Sequence, residues 1–80
     1  MAGENKKEIR CMTDIIMAVK RAKDKHPVFA LDEYHAVSIA TEEIGEMAKA
    51  INDRDFDQAR WEALDTIAVL VRILEMLEGK

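Results

Sequence analysis

Residues 61–77 run Trp-Glu-Ala-Leu-Asp-Thr-Ile-Ala-Val-Leu-Val-Arg-Ile-Leu-Glu-Met-Leu, and the architecture follows from them. Leu64, Ile67, Ala68, Val69, Leu70, Val71, Ile73, Leu74, Met76 and Leu77 would cover most of the circumference of one helix. A helix that is apolar nearly all round must be buried nearly all round. Three helices of a small chain cannot easily bury it, so this helix is expected at the interface of a homodimer or homotetramer. Its main polar gap is the stripe of Gln58, Glu62, Asp65 and Arg72. Acids placed there must look into the assembly or lie along a narrow seam.

Working outward, this helix starts near Asp55 or Asp57 and stops at Gly79. Before it, a second helix starts near Asp32, a good N-cap with Glu33 in the first turn. It runs through Tyr34, Ala36, Val37, Ala40, Ile44, Met47, Ala48 and Ile51 to about Asn52-Asp53. A first helix is expected from about Glu8 to Lys25, where Ile9, Met12, Ile16, Val19 and Ala22 recur at helical steps. Lys20, Arg21, Lys23 and Lys25 crowd its end, complementing the helix dipole, and His26-Pro27 ends it. No alternating strand pattern of convincing length occurs. The fold expected is all-α: an antiparallel helical bundle of about three helices, completed by homo-oligomerisation, with residues 1–80 as one domain and 1–7 as a flexible N-terminus.

Composition narrows the function classes. The net charge of −4 argues against nonspecific nucleic-acid binding. The longest apolar run, Ile67 to Val71, is far too short to span a bilayer, and no signal-peptide pattern precedes it. Cys11 is the only cysteine, so no disulfide forms within the chain, and a reducing, cytoplasmic setting is expected. Cys11 itself is expected as a small buried hydrophobe on the first helix.

At 100° per residue, Glu42 and Glu46 lie one turn apart on one face of the second helix, with His35, Ser38, Lys49 and Asp53 toward the same side. Glu43 lies between that face and the apolar one. Alone, this pattern is a solvated helix face. Glu62 and Asp65, set in apolar surroundings, are not explained that way. Like-charged carboxylates at these spacings repel, and burying them uncompensated is costly. A divalent cation resolves the conflict; hard oxygen ligands from two facing helices suit Mg²⁺, with Mn²⁺ as a substitute.

The run Glu42-Glu43-Ile44-Gly45-Glu46, followed after fifteen residues by Glu62-Ala63-Leu64-Asp65, resembles the EExxE…ExxD signature of the MazG-like all-α nucleoside triphosphate pyrophosphohydrolases. The segment His35 to Thr41 also resembles the family's approach to its motif, and the likeness spans roughly Pro27 to Leu74. It implies Mg²⁺-dependent hydrolysis of the α–β phosphoanhydride of a (d)NTP to the monophosphate and pyrophosphate. It also implies Glu43, Glu46, Glu62 and Asp65 as metal ligands. Glu42 matches the first acid of the motif, binding a second metal or orienting water, and a carboxylate such as Glu43 beside the metal takes the water's proton.

A triphosphate also needs cations, and Lys49 and Arg72 are the candidates on the acidic faces; Arg54 and Arg60 flank the connection between the helices. For the base, Tyr34, His35 and Trp61 are candidates, with Phe56 beside them. Two other classes fit the pattern: a non-enzymatic helical interaction module keeping fold and metal, and a ferritin-like di-metal protein, which the lack of any Glu-x-x-His pair disfavours.

Overall fold

Two aspartates set the frame. Asp32 Oδ1 accepts from the His35 amide at 2.8 Å, and Asp55 Oδ1 accepts from the Gln58 amide at 3.1 Å. Each starts a helix as an N-cap. In the computed structural model, which describes residues 2–80 and the side chains of 5–80, α1 spans Ala2–Lys25, α2 Glu33–Asn52 and α3 Phe56–Glu78. The described residues form no strand. The all-α expectation holds, and the helix ends fall within a residue or two of those expected for α2 and α3. α1 starts earlier than Glu8: residues 2–7, expected as a flexible lead, are helical, and Met1 of that segment lies outside the described residues.

α3 is the middle helix. α1 and α2 each pack against it and make no contact with one another among the described residues. Asp14 pairs with Arg60 and Lys23 with Glu75, so α1 and α3 run the same way. Glu33 pairs with Lys80 at one end, and Glu46, thirteen residues on, adjoins Glu62, so α2 runs opposite to α3. These ion pairs are exposed and contribute little stability; they record direction. Because Asp14 stands beside Arg60, the start of α1 projects past the start of α3. Cys11 is accordingly exposed, not the buried hydrophobe expected, because no other described element reaches over it.

The α2–α3 connection positions the site. Asp53 caps α2, Arg54 turns into the left-handed region at φ 59, and Asp55 caps α3. The Asp55 amide donates to Ala50 O at 2.9 Å and the Arg54 amide to Ile51 O at 3.0 Å. This is a Schellman turn, with arginine where glycine is commonest. So short a reversal lays the C-terminal half of α2 against the N-terminal half of α3. Arg72 fixes the other end: its guanidinium donates to Ala22 O at 3.2 Å and Pro27 O at 3.4 Å, and lies 4.8 Å from the Phe29 ring centroid.

The buried apolar residues are Ala18, Ala36, Ala40, Ala50, Ala59, Leu64 and Ala68. Alanines let helix axes approach closely, but they bury little apolar area. The large residues lie outside: Ile9, Met12 and Ile16 on α1, Val37, Ile44 and Ile51 on α2, and Leu70, Leu74 and Leu77 on α3 are all 45–65 % exposed. At 100° per residue, with α2 reversed, these three stripes fall on the same side of the layer, opposite the side that carries Glu46 and Asp65. A compact monomer of 9.1 kDa would expose about 4,900 Å². This chain exposes 6262 Å², and its radius of gyration of 13.9 Å exceeds the roughly 11.6 Å of a compact domain of this length. No helix is long and apolar enough to cross a membrane among the described residues.

Candidate metal centre

Where α2 and α3 face each other, Glu43 and Glu46 from one helix meet Glu62 and Asp65 from the other. One carboxylate oxygen each from Glu43, Glu62 and Asp65 lies within 4.8 Å of the others. Glu62 is only 9 % exposed. Its Oε1 accepts from Gln58 Nε2 at 2.7 Å, while its Oε2 is buried with no donor. Glu43 and Glu46 approach Glu62 closely, but carboxylates share a hydrogen bond only if one of them is protonated. The Thr66 hydroxyl donates to the Glu62 carbonyl at 2.8 Å, so it is unable to serve the side chain.

The crowding shows in the acidities. Burial, then the charges of Glu46, Asp65 and Glu62, push the Glu43 carboxyl up to about 7. Glu46 is raised by its close approach to the Glu62 carboxylate, and further by burial and the charges of Glu42 and Asp65. Asp65 is raised by burial and then by Glu62, against the opposing pull of Arg21 and Lys25. An orphaned carboxylate oxygen facing Glu43 and Asp65, all hard oxygen donors, fits a small divalent cation.

The acids divide two depressions. A cleft of about 670 Å³ between α1 and α2 has Glu43, Asp65 and Ile39 on one side and Arg21, Ala22, Lys25, His26 and Phe29 on the other. A smaller one of about 260 Å³ is lined by Glu46, Lys49, Asp53, Asp55, Gln58 and Glu62.

The other candidate residues are placed as follows. Glu42 and Glu46 are exposed and outside the group of three ligand-bearing acids, although Glu46 lies close to Glu62. Lys49 lines the smaller depression, not the cleft. Arg72 does reach the cleft wall, but main-chain carbonyls and Phe29 occupy its guanidinium in place of a phosphate. Tyr34 is 85 % exposed and, like His35, does not line the cleft. His35 works in the cap of α2, its Nδ1 accepting from the Leu31 amide at 3.1 Å. Trp61 does not line the cleft either; the Arg21 guanidinium, which does, lies over its ring, 5.4 Å from the centroid.

Arg21 and Lys25 were not among the sequence candidates, because the crowd of basic residues ending α1 is accounted for by the helix dipole. The signal was their spacing: one turn apart, on the flank of the Ala18–Ala22 stripe that packs on α3. Compared with protein-family models, curated proteins and solved structures, the chain matches none of them.

Proposed function

We propose that the chain is a Mg²⁺-dependent nucleoside triphosphate pyrophosphohydrolase of the MazG-like kind, cleaving the α–β phosphoanhydride of a (d)NTP to the monophosphate and pyrophosphate. The observation that carries this is Glu62 Oε2, buried without a donor and facing Glu43 and Asp65. The MazG-like resemblance of residues 42–46 and 62–65 supplies the reaction. Glu43, Glu62 and Asp65 would hold the cation, and the resemblance adds Glu46, which stands beside Glu62. Bound there, Mg²⁺ supplies charge neutralisation for phosphate oxygens and a lowered pKa for water.

The chain's own residues do the rest. Glu43 sits at the boundary of cleft and cluster, where a carboxylate can accept the proton of an attacking water. Gln58 orients Glu62 through its 2.7 Å bond, and Glu42 stands at the rim, within electrostatic reach of Glu46. The exposed side of the layer supports a homodimer or homotetramer. The excess surface of about 1,400 Å² per chain is of the size that obligate interfaces bury.

The test is pyrophosphate release from a panel of ribo- and deoxyribonucleoside triphosphates with Mg²⁺. Activity is expected with at least one nucleotide and loss of about 10²-fold or more in Asp65→Ala. No pyrophosphate from any nucleotide would leave a non-enzymatic helical interaction module as the better account. The broad apolar side is the observation that favours that second account.

A further inference from the structure

The cleft sets charges of both signs across from one another, and Asp24 on its α1 wall and Arg72 on its α3 wall complete its charged lining. Glu43 and Asp65 form one side; Arg21 and Lys25 project from α1 across it. Arg21 lies over Trp61, four residues before Asp65 on α3, so the guanidinium is seated beside the acid wall without being paired to it. The described ion pairs of the chain involve Lys23, Arg60 and Lys80 and leave Arg21 and Lys25 out. The side-chain hydrogen bonds leave them out as well, whereas the buried Arg72 is fully engaged. The volume of about 670 Å³ is within the range of small-molecule sites. The cleft also opens on the side of the layer away from the exposed apolar stripes, so assembly through those stripes leaves it accessible.

Resting on the hydrolase reading above, we propose that Arg21 and Lys25 of α1 bind the polyphosphate of the ligand, opposite the carboxylate-held metal, with Trp61 holding the Arg21 guanidinium in place. The acids alone would repel a polyanion. A metal on one wall and two cations on the other give it a complementary slot, and a guanidinium fork can grip two phosphate oxygens at once. Lys49 and Arg72, the cations chosen by spacing in the sequence, take no part in this grip: one lines the other depression and the other is bonded to carbonyls.

Trp61 is the only tryptophan, so its fluorescence reports on the site without any turnover. Inorganic tripolyphosphate is titrated, with Mg²⁺ present, into the wild-type chain, Arg21→Ala, Lys25→Ala and Lys20→Ala, the last removing the same charge from an exposed position of α1 outside the cleft. Calorimetry follows the same titrations, and Mn²⁺ affinity is measured alone. The expected result is a Trp61 signal in the wild type and at least a tenfold loss of tripolyphosphate affinity in Arg21→Ala and in Lys25→Ala. Lys20→Ala and the Mn²⁺ affinities should stay within about twofold of wild type. Arg21→Lys should fall between, keeping charge but losing the fork. Equal tripolyphosphate binding by wild type and both alanine variants overturns the proposal, as does an equal loss in Lys20→Ala, which marks general charge only. Failure of the hydrolase reading is separately visible: a chain that binds tripolyphosphate through Arg21 and Lys25 yet releases no pyrophosphate keeps the grip and loses the reaction.

Discussion

Glu62 is the residue on which the site turns, because a buried carboxylate oxygen with no donor costs free energy unless a cation or proton meets it. Replacing it with an isosteric neutral group, Glu62→Gln, should stabilise the metal-free chain by about 1 kcal/mol while abolishing stabilisation by Mg²⁺. Thermal melts with and without the ion read both effects. Glu43 gives a pH dependence of defined sign. Its folded acidity is raised to about 7 from an ordinary 4.5, so the folded chain holds this proton more tightly than the unfolded one. The associated stability is present below about 4.5 and is lost as pH rises through about 7. Glu46 and Asp65 shift in the same direction. For Glu43, discounted for solvent screening, the loss should be about 1 kcal/mol, several degrees in Tm, between pH 5 and 8. Mg²⁺ should remove most of it, since a bound cation favours the charged forms. Away from the site, Arg54→Gly should raise stability by up to about 1 kcal/mol, by relieving a left-handed arginine at φ 59; denaturant unfolding measures it.

Among the elements, α2 and α3 were legible in the sequence because capping chemistry is local: Asp32, Asp55 and Gly79 mark helix ends without reference to anything distant. The facing of Glu43 on Glu62 and Asp65 was legible for the same reason, since a three-residue connection leaves the helices little choice. The place of α1 was not legible. Its direction and side depend on Arg72 reaching the Ala22 and Pro27 carbonyls, a contact spanning about 50 residues that no periodicity encodes. By sequence alone Arg72 therefore reads as a phosphate ligand, and Arg21 and Lys25 as complements of the helix dipole. Arg72→Ala should cost about 2 kcal/mol, the scale of charged hydrogen bonds to carbonyls, and should loosen α1 from α3. Amide hydrogen exchange should show α1 losing protection before α2.

For the whole molecule, the apolar circumference of residues 64–77 foretold a surplus of hydrophobic surface, and the structure locates it. Leu70 and Leu74 lie on one side of the layer together with Ile44 and Ile51. Six of the seven inner-core residues are alanines, and periodicity alone, which sets Ala36 and Ala40 in one run with Val37 and Ile44, does not tell which of them faces inward. If the exposed side joins copies of the chain, sedimentation should find dimers or tetramers, and Leu70→Glu with Leu74→Glu should yield monomers of much lower stability. Every one of these expectations is secondary to the carboxylate centre itself. The direct measurement is a calorimetric titration of Mn²⁺ into the wild-type chain and Glu62→Gln at pH 8. Saturable binding in the wild type, weakened by at least tenfold in the variant and accompanied by proton release, is the result the account predicts. Equal binding by the two chains, or none by either, would contradict it.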